Sequence, residues 1–221
     1  MKPYYEDTKA GIVIYNADCR DVLPTLPSVD LVLTDPPYGI DGGVSSGVTR
    51  GKGNYAGGFI DNETHIRDVV VPVIEWCIEN ARCVVLAPGN RWFSLYPQPQ
   101  SFGVFYQPAA VGMQAFGNLD AQPIFYYGSS GGSRMGKPCS YVLTEPPEPN
   151  RHPCPKPLRA WRKLLAMVGI EGETILDPFM GSGTTLRAAK DLGRKAIGIE
   201  IEERYCEIAA KRLSQEVLAL V

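Results

Sequence analysis

Four consecutive residues, Asp35, Pro36, Pro37 and Tyr38, place a carboxylate, free backbone carbonyls and an aromatic ring directly after the apolar run 29–33. Such a run cannot continue as a ladder strand through two prolines, because neither proline has an N–H to donate. The chain therefore leaves the sheet in a stiff turn at the carboxyl end of the strand, where open α/β sheets bind ligands. Taken alone, the motif fits a ligand site and a surface turn plugged by a tyrosine about equally well.

A second candidate site lies where the predicted strand 173–177 runs into the loop Pro-Phe-Met-Gly-Ser-Gly-Thr-Thr at 178–185. A helix follows to about residue 192, and a further strand is predicted over 195–200. Glycines in such a loop let the backbone approach a ligand closely, and the helix N-terminus offers unpaired N–H groups. The pattern predicts a nucleotide-type site, with a tight turn as the simpler alternative.

The residues of this loop narrow the choice of ligand. The loop lacks the third glycine of the dinucleotide fingerprint and the lysine of a phosphate-binding P-loop. Glu200 ends the second strand, where a carboxylate can accept both hydroxyls of a ribose. A ligand with a ribose and no phosphate fits better. S-adenosylmethionine is such a ligand, because its carboxylate and amino group can meet the helix N-terminus and an acid such as Asp177.

Composition and charge bound the class of protein. The 221 residues, 44% apolar and 21% charged, fit one soluble α/β domain with an elaborated loop region or a small insert. A net charge of −2 argues against a protein that coats nucleic acid indiscriminately. Residues 151–163 nevertheless carry five lysines and arginines and no acid. This basic cluster is either a solvated helix face or a set of phosphate contacts.

Cysteine usage and hydropathy indicate the compartment. Six scattered cysteines without metal-ligand spacing, and only two histidines, favour free thiols in a reducing cytosol and argue against a zinc site. No apolar run approaches the roughly 20 residues that span a bilayer. The N-terminal segment lacks the apolar core of a signal peptide. We therefore expect a cytoplasmic protein with no membrane partner and no metal.

The pattern between the two sites predicts the elements that position them. Buried strands are predicted at 11–16, 29–33 and 82–87. The first two, joined by a short helix, are expected to pair in parallel and to bring Asp18 and Asp35 to neighbouring strand ends. A helix capped by Asn62 is expected to run to about residue 81, with a bend or break at Pro72.

Two stretches are predicted to be irregular. Residues 39–58 contain eight glycines, which favours a mobile lid beside the Asp35 turn over a plain connection. Beyond Asn90, which is expected to cap a short aromatic helix, the pattern loosens from residue 97 to about 149. Possible short strands in this region lie at 103–106, 124–127 and 141–143, and 129–137 is typical of a flexible basic loop.

Three motifs together resemble those of the amino-group DNA methyltransferases of the permuted (β) order, in which the catalytic half precedes the cofactor-binding half. They are Asp-Pro-Pro-Tyr at 35–38, His-Pro-Cys-Pro-Lys-Pro-Leu at 152–158 and Leu-Asp-Pro-Phe-Met-Gly-Ser-Gly-Thr-Thr at 176–185. The resemblance covers about residues 11–40 and 151–213. It implies a Rossmann-like S-adenosylmethionine-dependent methyltransferase fold in circularly permuted order. That fold is α/β and doubly wound, with a mostly parallel seven-stranded sheet and a reversed final hairpin that 103–127 could supply.

The resemblance also implies how the chain is divided. Residues 1–221 would form a single methyltransferase domain, with a catalytic half at 11–100 and a cofactor-binding half at 151–213. Irregular or target-recognition insertions would fall at about 39–61 and 97–150. In a parallel sheet wound in this order, the strands ending at Asp35 and Asp177 should lie side by side and face one crevice.

Site residues carry over from the matching motifs. The implied catalytic residues are Asp35, Pro36, Pro37 and Tyr38. The implied cofactor-binding residues are Asp18 and Cys19 at the adenine, Lys156 and Pro157 beside the methionine moiety, Asp177, Phe179, Gly181, Ser182, Gly183, Thr184 and Thr185 in the loop, and Glu200 at the ribose. The implied reaction is methyl transfer to the exocyclic amine of a flipped-out base.

The resemblance leaves alternatives in substrate and partner. Asp at the first position of the tetrad leans toward adenine N6, with cytosine N4 as the alternative. RNA or protein amide methylation is a weaker candidate, because those relatives usually place the cofactor loop first, and an inactive relative is weaker still. Double-stranded DNA is the expected partner, in the cytoplasm of a bacterial or phage-infected cell. A homodimer is possible, and the enzyme could act with a restriction endonuclease or as an orphan.

Overall fold

The computed structural model describes residues 1–39, 61–106, 113–114, 117–118, 120–131, 139–142 and 156–215. Its strands are β1 (Tyr5–Asp7), β2 (Ile12–Asn16), β3 (Val29–Thr34), β4 (Ala81–Leu86), β5 (Ser101–Tyr106), β6 (Met113–Gln114), β7 (Gly117–Asn118), β8 (Ala121–Gly128), β9 (Tyr141–Val142), β10 (Thr174–Asp177) and β11 (Lys195–Glu200). Its α-helices are α1 (Cys19–Val22), α2 (Glu63–His65), α3 (Val71–Asn80), α4 (Leu158–Val168), α5 (Thr184–Asp191) and α6 (Glu203–Leu213). The predicted lid after Gly39, most of the predicted basic loop and His152 lie outside these ranges.

One mixed sheet organises the described residues, with the strand order β1-β2-β11-β10-β3-β4-β8-β5-β9. The five strands from β2 to β4 are parallel. Strand β8 runs antiparallel to both β4 and β5, so β5 and β8 form the reversed hairpin expected from 103–127. The predicted fold class is confirmed, with β1 and β9 added as edge strands to the seven expected. A separate two-stranded ribbon pairs β6 with β7.

The order of the parallel strands confirms one predicted pairing and corrects another. Strands β3 and β10 are neighbours, so Asp35 and Asp177 lie at adjacent strand ends as predicted. Strands β2 and β3 are not neighbours, because β11 and β10 lie between them. The expectation that Asp18 and Asp35 follow adjacent strands is therefore wrong. A crossover helix indicates that two strands are parallel, but it does not fix how many positions the crossover skips.

Helices cover both faces of the sheet and enclose two apolar layers. One layer holds the buried faces of α4, α5 and α6, in which Trp161, Leu164, Leu165 and Val168 recur at helical spacing. The other holds α1 and α3 with the opposite faces of the same strands. Because β3 is covered on both faces, its pattern is almost continuously apolar rather than alternating. This architecture leaves the carboxyl ends of the parallel strands to form a site.

The helical region before β4 shows how local chemistry sets its shape. The Asn62 side chain accepts a hydrogen bond from the His65 N–H at 2.9 Å, as its predicted cap role requires. A π-helical turn, Ile66–Val70, then joins α2 to α3 just before Val71 and Pro72, so the helical hydrogen-bond pattern changes next to the proline where a bend or break was predicted. The prediction for Asn90 is wrong. Its side-chain amide donates to the Ala121 carbonyl at 2.8 Å, and the short 3₁₀ turn Phe93–Leu95 has no side-chain cap.

Candidate active site

A cavity of about 740 Å³ opens at the carboxyl ends of β2, β11, β10 and β3. It brings the two motifs found in the sequence to one place. The predicted site residues that line it are Asp18, Cys19, Asp35, Pro36, Pro37, Tyr38, Lys156, Asp177, Phe179, Gly181, Ser182, Thr184, Thr185 and Glu200. Pro157 and Gly183 do not line it. They lie instead at the N-terminal ends of α4 and α5, where they shape the backbone.

Asp177 ends β10 and is buried at the floor of this cavity. Its Oδ1 accepts a hydrogen bond from Thr34 Oγ1 at 2.7 Å and one from the Phe179 N–H at 3.2 Å. Burial raises the pKa of Asp177 to about 6, although hydrogen bonds from Thr185 and Thr34 oppose the shift. The site therefore contains a carboxylate whose charge has little solvation and would be stabilised by a cationic ligand group.

Thr185 connects the glycine loop to two other elements. Its hydroxyl accepts from Trp161 Nε1 at 3.0 Å, and its single proton can be donated either to the Leu33 carbonyl, at 3.2 Å, or to Asp177. The contact ties α5 to α4 and to the strand that leads into Asp35. Sequence reasoning treated Thr185 only as a cofactor-loop residue. In the structure its side chain also holds the glycine loop next to the strand that leads into Asp35. The two motifs of the site are therefore fixed relative to each other.

Glu200 ends β11 and lies beside the glycine loop. One carboxylate oxygen accepts the Gly181 N–H at 2.9 Å, and the other accepts the Glu202 N–H at 2.8 Å. These bonds orient the carboxylate while each oxygen keeps a lone pair for a ligand hydroxyl. Burial raises the pKa of Glu200 to about 7, because desolvation outweighs the two backbone hydrogen bonds.

We expect Glu200 to make the ligand-free protein less stable as the pH rises. Its pKa is about 7 in the folded state against an ordinary 4.5, so between these values the folded protein binds more protons than the unfolded chain. The free energy of unfolding must then fall as the pH rises through that window. Glu200→Gln should flatten this decline in urea denaturation between pH 5 and pH 7.5, and Asp177 and Asp35, whose pKa values burial also raises, should contribute to the slope that remains.

A matched control for this experiment is Glu207→Gln, which removes an exposed carboxyl whose pKa is lowered by its hydrogen bond to Lys211. That variant should keep the wild-type decline between pH 5 and pH 7.5. An unchanged slope in Glu200→Gln would show that Glu200 titrates normally in the folded protein.

Asp18 and Cys19 begin α1 on the far side of the cavity from Asp35. The Asp18 carboxylate accepts from the Arg20 N–H at 2.9 Å and from Arg20 Nη2 at 2.5 Å. These contacts with Arg20 lower the pKa of Asp18. Cys19 is buried, and burial raises the pKa of its thiol to about 12. Asp18 thus presents a fixed carboxylate, while Cys19 presents an uncharged thiol.

The Asp35 turn is held by charge as well as by its prolines. Lys156 Nζ lies 2.8 Å from Asp35 Oδ2 and donates to the Tyr38 hydroxyl at 2.5 Å. The Tyr38 hydroxyl donates in turn to Asp35 Oδ1. The Lys156 ammonium also lies 4.7 Å from the centre of the Tyr38 ring. Burial raises the pKa of Asp35, and the positive charge of Lys156 opposes the shift.

This contact changes the interpretation of the basic cluster at 151–163. Lys156 is buried against Asp35 instead of facing solvent, and Arg162 pairs with Asp191 at 3.3 Å. Among the residues that the structure describes, at least two cations of the cluster are thus engaged within the fold. The spacing of the cluster gave no sign of this, because the acids that they pair with lie in other parts of the chain.

Several residues that support the Asp35 turn were missed in the sequence. The buried carboxylate of Asp61 accepts the Gly39 N–H at 2.6 Å. The Gly39 carbonyl accepts from Arg91 and Trp92, each at 3.3 Å. Gly39 has φ +66°, and a Cβ there would lie 2.5 Å from the Trp92 ring, so the position requires glycine. Only the position of Asp61 directly before the helix cap could have drawn attention to it.

The helical region 61–69 forms another part of the cavity wall. Asn62, Thr64, His65 and Asp68 line it, and the π-helical turn begins at this point. Such turns occur frequently at functional sites. Burial lowers the pKa of His65 below its ordinary value, so this wall presents a neutral imidazole near neutral pH.

The described part of the chain contains no group of three or more histidine, cysteine or acidic residues that could hold a metal ion. Within the same ranges, none of the helices has the length and apolar character needed to cross a bilayer.

Comparison with known proteins finds similarity to DNA methyltransferases. A family model described as DNA methylase, of the N6/N4 methyltransferase type, matches residues 132–211. Two relatives are each 28% identical to this chain over 97% of its length and 93% of theirs. They are the Type II methyltransferases M2.DpnII of Streptococcus pneumoniae and M2.LlaDCHI of Lactococcus lactis subsp. cremoris.

Solved structures show the same fold. A complex of M1.HpyAVI with SAM superposes with a TM-score of 0.67 at 22% identity, covering 92% of this chain and all of that one. The PvuII DNA methyltransferase, described as cytosine-N4-specific, superposes with a TM-score of 0.73 at 15% identity. The superposition covers 99% of this chain and 91% of the PvuII enzyme. At these identities the likeness concerns the fold, and the substrate must be argued from the site.

Proposed function

Because its motifs and its relatives are those of amino-group DNA methyltransferases, we propose that the chain transfers a methyl group from S-adenosylmethionine to the N6 amine of an adenine flipped out of double-stranded DNA. The observation that carries this proposal is the shared cavity. Asp35 and Asp177 end adjacent parallel strands and face one space of about 740 Å³ that Glu200 also lines. Such a cavity can hold a methyl donor and an acceptor base together.

The residues around one end of the cavity fit S-adenosylmethionine. Glu200 offers carboxylate oxygens to ribose hydroxyls, and the buried Asp177 offers a poorly solvated negative charge to an amino group. The N-terminus of α5 can bind a carboxylate through its unpaired N–H groups. When bound there, the cofactor supplies an electrophilic methyl group on a sulfonium. Asp18 and Cys19 line the wall proposed for its adenine.

The residues at the other end fit a planar base that carries an amine. An exocyclic amine is a poor nucleophile, because its lone pair is delocalised into the ring. Asp35 and the Pro36 carbonyl can accept its two N–H hydrogens, which favours the tetrahedral nitrogen that attacks a methyl group in line. Tyr38 can stack on the base, a contact worth roughly 1–3 kcal/mol. Formation of the nitrogen–carbon bond would break the sulfonium sulfur–carbon bond and leave S-adenosylhomocysteine, and Asp35 is placed to accept the amine proton that must leave.

The acceptor is assigned from these groups. The base must leave the duplex to reach Asp35, as enzymes that modify base atoms require. Adenine is proposed over cytosine because the tetrad begins with Asp35, although both amines suit its geometry. The expectation that two copies of the chain pair stays a prediction, as does the division of the chain into a catalytic and a cofactor-binding half.

The proposal is tested by incubating the protein with S-adenosylmethionine labelled in its methyl group and with unmethylated duplex DNA, total RNA or a protein extract. We expect label in the DNA and none in the other two. Label that enters only RNA or protein would refute the proposed substrate. A heat-denatured DNA arm tests whether the duplex is preferred.

A further inference from the structure

Lys156 occupies an unusual position for a residue of a basic cluster. Its side chain is buried at 9% exposure, and its ammonium reaches both functional groups of the acid turn. Lys156 Nζ lies 2.8 Å from Asp35 Oδ2 and 2.5 Å from the Tyr38 hydroxyl oxygen. That hydroxyl also donates to Asp35 Oδ1. Lys156 therefore contacts one carboxylate oxygen of Asp35 directly and the other through the Tyr38 hydroxyl.

The surroundings of Asp35 otherwise disfavour its negative charge. Asp177 at the end of β10 is close enough to interact electrostatically with it. Tyr96 follows the 3₁₀ turn and is buried with its hydroxyl unpaired, near both Asp35 and Asp61. Within the described ranges, the ion pair of Asp35 is formed with Lys156. Among the described residues, Asp177 and the Tyr96 phenol thus interact electrostatically with Asp35, whereas the Lys156 ammonium and the hydrogen bond from Tyr38 favour its charged form.

The protonation state of Asp35 decides what it can do for an amine. A carboxylate accepts hydrogen bonds with both oxygens, whereas a carboxylic acid turns one oxygen into a donor. A buried carboxyl group that has acidic neighbours and no cation favours the neutral form. A cation at 2.8 Å opposes that preference, and Asp35 still lines the cavity.

On the basis of the proposed function, we infer that Lys156 is a positioning residue for methyl transfer, whose ammonium keeps Asp35 ionised so that both carboxylate oxygens can accept hydrogen bonds. This role differs from binding the methionine part of the cofactor, which the sequence motif suggested for Lys156. The same role accounts for the contact with Tyr38, because the Lys156 ammonium holds the aromatic ring next to Asp35.

The test is the pH dependence of single-turnover methyl transfer with saturating cofactor and DNA. Lys156→Met keeps an apolar stem of similar length and removes the charge. Loss of the cation raises the pKa of Asp35, so the rate should fall at low pH and the acid limb should move to higher pH by about 1–3 units. The variant should be most impaired near pH 6 and should recover toward the wild-type rate near pH 9. Lys156→Arg should keep the wild-type acid limb even if its rate is lower.

Two further variants make the result specific. Lys163→Met removes an exposed cation from α4, the helix that Lys156 precedes, and should leave the acid limb unchanged. Lys156→Gln is neutral but can still donate to the Tyr38 hydroxyl, and it replaces the methionine variant if that protein does not fold. Calorimetric binding of S-adenosylhomocysteine should change by less than about threefold, or 0.7 kcal/mol, in the methionine variant.

Each possible outcome decides the inference. An acid limb that stays in place in Lys156→Met, with weaker cofactor binding and equal loss at every pH, would overturn it and assign Lys156 to the cofactor. A wild-type protein that transfers no methyl group to DNA would refute the proposed function itself. An active wild type with unshifted variants would refute only the role of Lys156.

Discussion

Replacing Asp35 with asparagine is expected to lower the single-turnover rate of methyl transfer by at least about 10²-fold, since removal of one preorganised group that stabilises a transition state typically costs that much. The amide keeps the size of the side chain but turns one acceptor oxygen into a donor. That donor would face either the target amine or the Lys156 ammonium, which lies 2.8 Å from Asp35 Oδ2. Cofactor affinity should persist, because Asp177 and Glu200 are oriented by hydrogen bonds from Thr34, Phe179, Gly181 and Glu202, which the substitution leaves in place.

The matched control for this variant is Asp30→Asn, five residues earlier on the same strand. Asp30 is exposed, and its carboxylate accepts the Thr174 N–H at 2.8 Å, which an amide oxygen can also accept. We expect it to keep the wild-type rate. Binding of S-adenosylmethionine by calorimetry should be the same in both variants within about threefold. If Asp35→Asn transfers methyl groups at the wild-type rate, Asp35 has no part in the chemistry.

Replacing Gly183 with alanine is expected to abolish cofactor binding and to destabilise the protein. Gly183 has φ +77° at the N-terminus of α5, and a Cβ there would lie 2.8 Å from the Cβ of Ala209 on α6. A left-handed backbone alone costs an L-residue roughly 1–2 kcal/mol. The contact with α6 adds to this cost and pushes the start of α5, which carries the N–H groups proposed to bind the cofactor, out of place.

Gly193→Ala separates the two costs. Gly193 has φ +66°, and no atom lies within 4 Å of a Cβ built there. This control should show the backbone cost alone, as a small drop in melting temperature with unchanged cofactor binding. The Gly183 variant should melt at a lower temperature than the control and should give no heat of binding with S-adenosylmethionine. Wild-type affinity in Gly183→Ala would mean that the start of α5 does not contact the cofactor.

The parts of the fold and site that could be predicted are those set by local chemistry. The two prolines after β3 and the two glycines before α5 specify how each strand ends, and parallel strands then bring their ends to one edge of the sheet. For the same reason the break before Pro72 followed from its missing N–H. These features depend on a few neighbouring residues, so a single sequence was enough to identify them.

The features that could not be predicted depend on contacts between distant parts of the chain. Asp61 contacts Gly39 across 22 positions, and Lys156 reaches Tyr38 across 118. No spacing rule connects such residues, since the sheet brings them together only after folding. The position of β10 and β11 between β2 and β3 could not be predicted for the same reason. Both strands come from a distant, later part of the chain, and no local pattern near β2 or β3 shows that they lie between them. The contact between Lys156 and Asp35 could therefore not be predicted from the basic cluster, whose sequence pattern also fits a solvated helix face.

The most direct test is to identify the methylated nucleoside. Unmethylated duplex DNA is incubated with the protein and S-adenosylmethionine, digested to nucleosides and analysed by mass spectrometry, with the Asp35→Asn variant in parallel. We expect N6-methyldeoxyadenosine from the wild-type protein and none above background from the variant. N4-methyldeoxycytidine in its place would contradict the assignment of the base. The absence of any methylated nucleoside would contradict the proposed site as a whole.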